Sequence, residues 1–291
     1  MTKNLLNNFL TRNFFIDFWG KRFFVFEKCT EFFPKFLIND FLNIVKNTNI
    51  FFPELTCINE YGQIPHQKYT KINAQSFSSQ VVFEGVRDVL NHGATVRIRD
   101  TPYYSESVQK LQNIFNDTFR FKTTISAFYS NLGAEGFNPH YDIRHIFIFQ
   151  MEGVKKWFLG EKIDEVPRHD FTPHTKFLDP CEKKVLDLRK GEILYIPPGL
   201  WHKTKTVRDS LHLAVGVSVP DWYDFMSGYL KYVMKKYDLM RQHLPFEVCE
   251  DKINFNQAYP NEHRNLIELL KNDIKKYDWF KFVHKIVDEK P

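Results

Sequence analysis

The rhythm of apolar and polar positions changes along the chain, and each change predicts a different kind of structure. In the first seventy-odd residues short helical and extended pieces alternate. Residues 23–26 read as a strand, and residues 36–45 as a short helix with apolar positions three and four apart. Residues 59–75 are polar and rich in turn formers, which predicts a long surface loop. Ser79 is placed to cap a helix running towards Leu90, and Asn91-His92-Gly93 supplies its polar stop. A strand over 94–98 and a helix through 108–115 follow.

From about residue 123 the helical period gives way to short β-rich runs separated by Gly and Pro. They fall at 123–130, 140–150, 155–159, 184–188, 192–196 and 210–219. Many short strands divided by turn signals predict a sandwich or barrel. The last third returns to the helical period. Asp221 can cap a helix whose apolar stripe contains Trp222, Phe225, Met226, Tyr229, Leu230, Val233, Met234 and Tyr237. A second helical run spans 262–277, and no β-wing is evident in this part.

Composition narrows the class. The chain has 291 residues, 43% hydrophobic and 26% charged, enough to bury a core without disulfides. Thirty Phe residues imply a core of large flat side chains. Forty basic and 35 acidic residues leave a formal charge of +5, short of the basic surface of a dedicated nucleic-acid binder. Cys29, Cys57, Cys181 and Cys249 form no CxxC pair, so free thiols in a reducing compartment are expected. No run approaches the length of a membrane helix, and the amino terminus lacks the pattern of a secretory signal. Together these predict a cytoplasmic protein.

The chemistry concentrates in two blocks of the β-rich stretch. A His-x-Asp is common by chance, but His140-Tyr141-Asp142 follows a Gly-containing loop, Gly133–Gly136, and opens a predicted strand. Residues i and i+2 of a strand share a face. Some sixty residues on, a strand and a Pro197-Pro198-Gly199 turn lead to His202. Two His and one carboxylate on neighbouring strands meet the needs of a facial metal triad with open positions. The spacing alone leaves open an ion pair between His140 and Asp142, with His202 as a turn residue. His145 has the opposite strand parity to the triad, His212 reads as a packed residue, and His169 and His174 fall in a polar loop.

The blocks HYDIRHIFIFQMEGVKKW (residues 140–157) and GEILYIPPGLWHKT (191–204) resemble the JmjC/cupin-like 2-oxoglutarate oxygenases, most of all their ribosomal oxygenase branch. Phe18-Trp19-Gly20-Lys21-Arg22, residues 93–98 and Ser210-Leu211-His212-Leu213 extend the likeness over about residues 8–220. The resemblance implies a double-stranded β-helix (jelly-roll) core, mainly β with α additions, N-terminal α/β elements and C-terminal helices. It implies an oxygenase domain over 1–219, with the barrel core at about 93–219, and a helical dimerisation region over 220–291. It implies Fe(II) on His140, Asp142 and His202, and Lys155 on the distal carboxylate of 2-oxoglutarate. Strand parity puts Lys155 and Trp157 on one face and Lys156 on the other. Ser126 and Phe128 stand where the family often has Asn and Tyr, and Ala214 where it often has Thr. Ser126, Ser130 and Asn131 are therefore the candidates for the remaining polar contacts. The expected activity is hydroxylation, with O2 as oxidant and succinate and CO2 as co-products, of a side chain in a protein or ribosomally made peptide. The alternatives are a hydroxylase of a free amino acid or small metabolite, and a non-catalytic cupin-like binding module. A homodimer is expected, without membrane or direct nucleic-acid partners.

Overall fold

The computed structural model describes residues 9–27, 29–73, 75, 77–121, 123–168, 183–243, 247–249, 252–254 and 260–276. The chain divides into two compact units, Met1–Ser218 and Val219–Pro291. His169, His174 and Cys181 lie outside the described residues, while Cys29 and Cys57 are free thiols. No described helix is long and apolar enough to cross a membrane.

The first unit is built on an antiparallel sheet. Its strands are β1 (Phe24–Phe26), β2 (Leu55–Asn59), β3 (Gly62–Gln63), β6 (Thr95–Ile98), β7 (Thr123–Ser130), β8 (His145–Lys162), β9 (Lys184–Arg189), β10 (Ile193–Ile196) and β11 (Leu200–Val217). They pair in the order β1-β10-β8-β11-β7-β6-β2-β3, with β9 also on β8. Separately, β4 (Thr70–Ile72) pairs with β5 (Ser79–Val81). Helices α1 (Arg12–Asp17), α2 (Ile38–Asn47), α3 (Phe83–Asn91) and α4 (Glu106–Phe119) complete the unit.

The strands at 140–150 and 155–159 expected from the sequence are one strand of 18 residues, β8, which starts only at His145. It changes neighbours half-way: Ile146–Phe149 pair with β10, and Val154–Leu159 with β9. Gly153 marks the change. Its φ is +72°, and a Cβ there would stand 1.8 Å from the Asp209 carbonyl oxygen, so only Gly permits the approach. The facing strand β11 breaks register between Thr206 and His212, opposite this point. Two long strands that fold over in step are what wraps the sheet into a double-stranded β-helix.

Alternation along β8 separates two cores. Phe147 and Phe149, both fully buried, join an aromatic layer with Phe9, Phe14, Phe26 and Phe115 under the helices. Ile148 and Trp157 join the smaller cluster around Leu159, Leu194 and Leu200. The Phe content thus finds its place: each buried ring contributes roughly 1.5–3 kcal/mol, and edge-to-face pairs such as Phe9 on Phe26 add to it.

Beside this layer the Tyr195 hydroxyl joins three segments. It accepts the Gly20 N–H at 2.7 Å and stands 2.8 Å from Nδ1 of His145, whose ring stacks on Trp19 at 3.7 Å. Burial, reinforced by Lys162, pushes the His145 pKa down to about 3, so the ring is neutral and its Nδ1 accepts the tyrosine proton. Tyr195→Phe is expected to leave the buried His145 nitrogen and the half-buried Gly20 N–H unpaired, lowering stability by about 1–3 kcal/mol in thermal or urea unfolding.

Several local expectations are corrected. Residues 59–75 are not a loop but contain β3 and β4, because Tyr69 is drawn inward, 1% exposed, its hydroxyl accepting the Cys57 N–H. Ser79 does not cap a helix; it opens β5, and α3 starts at Phe83 with Val82 before it. The stop at His92-Gly93 is present, with Gly93 at φ +82°.

The second unit contains α5 (Trp222–Lys236), β12 (Glu247–Cys249), β13 (Lys252–Asn254) and α6 (Pro260–Ile274). Asp221 caps α5 reciprocally with Asp224. The region is not purely helical, since β12 and β13 pair antiparallel. Phe225, Tyr229 and Val233 are the buried positions of α5, and the Tyr229 hydroxyl donates to the Leu270 carbonyl.

Candidate metal centre

His140 and Asp142 precede β8 rather than opening it. Their common orientation comes from a backbone bridge: His140 N–H donates to the His202 carbonyl at 3.1 Å, and His202 N–H to the His140 carbonyl at 2.8 Å. The Pro-Pro-Gly turn closes the arrangement. Gly199 donates its N–H to the Asp142 carbonyl at 2.8 Å, at a φ of +78° that also spares a clash with the Asp164 carbonyl.

The ligand-capable atoms of His140, Asp142 and His202 lie within 4.8 Å of one another, and this is the only such cluster among the described residues. Nδ1 of His140 faces the Asn138 carbonyl at 2.7 Å, and Nδ1 of His202 the Leu200 carbonyl at 3.0 Å. A carbonyl only accepts, so each ring carries its proton on Nδ1 and leaves the Nε2 lone pair free. Nε2 of His202 stands 3.7 Å from the Asp142 carboxylate. Burial, with His140 alongside, lowers the His202 pKa to about 4, so near neutral pH a metal displaces no proton from this ring.

The three residues open into a cavity of about 720 Å³. At its inner end lies Lys155, 1% exposed, whose Nζ donates to Ser130 Oγ at 2.8 Å; Ser130 in turn meets Thr206 Oγ1 at 2.9 Å. Burial lowers the Lys155 pKa to about 7. Trp157 shares the Lys155 face, whereas Lys156 turns outward to Asp187. Ser126 lines the cavity; Ser130 reaches it through Lys155; Asn131 is turned to the Leu90 carbonyl and does not line it. His145 faces away, and His212 stacks on Phe128 within the wall.

Buried polar atoms without partners gather here. They are Nε1 of Trp157, Nδ1 of His212 and the hydroxyl of Tyr141. Burial, and then Lys155, hold the His212 pKa well below its ordinary value, so that ring is neutral. Unpaired buried polar groups are costly, and those that line a cavity are open to partners within it. With the Lys155 ammonium beyond them, they fit a small ligand bearing carboxylates.

Sequence reasoning passed over the cavity's arginines. Arg97 donates to Thr56 Oγ1 at 3.1 Å and lies over the Phe137 ring. Burial and then Arg99 lower its pKa to about 10. Arg144 donates to Thr124 Oγ1 at 3.1 Å. The alternation of β6 could have flagged Arg97, since its pairing partner Phe128 stands beside His212.

Residues 102–225 match the family model of the JmjC domain. The ribosomal protein uL16 3-hydroxylase of Escherichia coli is 33% identical over 102 residues, which are 35% of this chain and 27% of that protein. The bifunctional lysine-specific demethylase and histidyl-hydroxylase NO66 of Dictyostelium discoideum is 22% identical over 277 residues, 92% of this chain and 51% of that one. The chain therefore spans about half or less of the length of these relatives. Among solved structures, the E. coli ribosomal oxygenase YcfD superposes with a TM-score of 0.58 at 18% identity, covering 91% of this chain and 66% of that chain. YcfD in complex with cobalt and 2-oxoglutarate gives a TM-score of 0.57 at 19% identity, with coverage of 93% and 70%. These likenesses establish the JmjC/cupin fold.

Proposed function

We propose that this chain, whose residues 102–225 form a JmjC domain, is an Fe(II)/2-oxoglutarate-dependent dioxygenase that hydroxylates a side chain in a protein or ribosomally made peptide. The observation that carries the reading is the His140–Asp142–His202 cluster, opening into a cavity that ends in a buried lysine. Both relatives are named as hydroxylases, one of them of a ribosomal protein, which supports a protein substrate here. A cupin-like module that only bound would have no use for an open metal face.

His140, Asp142 and His202 would hold Fe(II), which when bound supplies the redox chemistry that splits O2 and couples 2-oxoglutarate decarboxylation to hydroxylation. The protein's own part is positional. The carbonyls of Asn138 and Leu200 orient the two imidazoles, and Lys155 receives the distal carboxylate of 2-oxoglutarate. Trp157 and Tyr141 offer N–H and O–H donors to the ligands, and Phe128, Ile148 and Ala214 make the wall apolar. We place the protein in the cytoplasm, where Cys29 and Cys57 stay reduced. The test is succinate release with candidate peptides set against free amino acids. Stimulation by amino acids alone would move the substrate to the small-metabolite class.

We also propose that α5 pairs two copies of the chain. Trp222 is 73% exposed, Met226 41%, Leu230 44% and Met234 41%, a stripe with a spacing of four that runs beside the buried Phe225, Tyr229 and Val233. Aromatic residues and Met are enriched in interface cores, and a twofold pair would cover the stripe with its own copy. Light scattering at micromolar concentration is expected to give the mass of a dimer, and Met226→Glu with Leu230→Glu that of a monomer. A monomeric intact protein would remove the proposal.

A further inference from the structure

The charge in the cavity does not balance once the proposed ligands are counted, and the excess has a definite place. Lining the cavity are Arg97, Arg99, Arg144, Lys155 and Lys203, against only Asp100 and Asp142 among the described residues. If the proposed function holds, a divalent ion and the 2-oxoglutarate dianion cancel, and Lys155 offsets Asp142. Three arginines then face Asp100 as the one further carboxylate among the described lining residues. Among the described residues, none of Arg97, Arg99 and Arg144 has a carboxylate within 4.0 Å.

Their positions follow from the sheet. In the β6–β7 ladder Thr95 stands opposite Ser130 and Arg97 opposite Phe128, so Thr95 and Arg97 share the cavity face; two residues on, Arg99 lines the cavity too. Phe137 joins this edge to the metal centre, lying under the Arg97 guanidinium on one side and 5.4 Å from the His140 ring on the other. Arg144 sits two residues beyond Asp142, anchored on Thr124 with its stem against Gly216. Arginines that line one cavity with no carboxylate within 4.0 Å among the described residues are available to an anion, since a planar guanidinium offers paired donors to a carboxylate.

We infer that Arg97, Arg99 and Arg144 form a carboxylate-reading cluster, and that the substrate is an acidic peptide segment with Asp or Glu at or beside the modified residue. This deepens the proposed function and rests on it. A peptide fits better than a nucleic acid. Asp100 stands within the cluster, where it would repel a continuous phosphate backbone, and the whole chain carries only +5.

The test uses the full chain loaded with Mn(II) and 2-oxoglutarate without oxygen, and three synthetic peptide pools of equal length carrying two Asp or Glu, two Lys, or neither. Binding is read by fluorescence anisotropy. The acidic pool is expected to bind at least about tenfold more tightly than the others, with the advantage shrinking as salt rises. Arg97→Gln with Arg144→Gln should erase the difference, while Arg97→Lys with Arg144→Lys retains part of it. Equal or tighter binding of the basic or neutral pool to the unaltered protein overturns the inference, as does an RNA oligomer that outcompetes the acidic pool. Failure of Mn(II) or 2-oxoglutarate to bind is read in the same titrations and counts against the oxygenase reading. An acidic preference that persists in that case upholds the cluster by itself.

Discussion

Replacing Asp142 with alanine is expected to abolish 2-oxoglutarate turnover, a fall of more than about 100-fold in succinate formation, while the protein stays folded. The two halves of this result rest on different atoms. The Asp142 carboxylate is the only anionic member of the His140–Asp142–His202 cluster, and without it two neutral imidazoles face a dication with no charge to match. The backbone of the same residue is what serves the fold, through its carbonyl and the Gly199 N–H, and alanine keeps that bond. The side chain is 41% exposed, so its removal opens no cavity. His140→Ala should also lose activity, because it removes one of the three ligands that hold the metal. Titration with Mn(II), followed by its electron paramagnetic resonance, should show weakened binding in both variants, and thermal melts should remain cooperative. Full turnover by either variant would remove these residues from the metal centre.

The route by which the cluster forms was only partly legible in the sequence. The Pro-Pro-Gly turn and the His-x-Asp were visible as punctuation, and the residue types pointed to a metal. The expected mechanism of alignment, a shared strand face, was not the one used: β8 begins at His145, and the alignment comes from the backbone bridge between His140 and His202. Period-two reasoning finds faces within a strand but not bridges between residues 62 positions apart. The same limit explains 59–75, where polar side chains and a turn-rich composition hid Tyr69, one buried ring that draws the segment inward. It explains Ser79 as well, because an N-cap and a strand start look alike until the pairing partner is known. The alternation of 123–130 and the stop at His92-Gly93 were legible because their signals are local. The arginines were passed over for a different reason. Each is unremarkable alone, and only the β6–β7 register and the fold of residues 136–144 bring them to one cavity.

Lys155 carries the second large effect. Lys155→Ala is expected to raise the 2-oxoglutarate requirement by roughly 10- to 150-fold, the loss of a charge-assisted contact worth about 1.5–3 kcal/mol, with Mn(II) affinity nearly unchanged. Lys156→Ala should change little, because that ammonium is at the surface beside Asp187. The pH dependence separates this role from simple packing. Burial holds the ligand-free ammonium at a pKa of about 7, and a carboxylate favours the protonated form and raises it. Binding of 2-oxoglutarate therefore takes up a proton once the pH exceeds about 7. Its affinity should be highest below that value and fall as pH rises through and above it, by up to about tenfold per unit until the pKa of the bound state is reached. In Lys155→Ala this slope should vanish while a weak, flat affinity remains, readable by calorimetry in two buffers of different ionisation enthalpy. A slope that survives the substitution would assign the proton to another group, and the distal carboxylate with it.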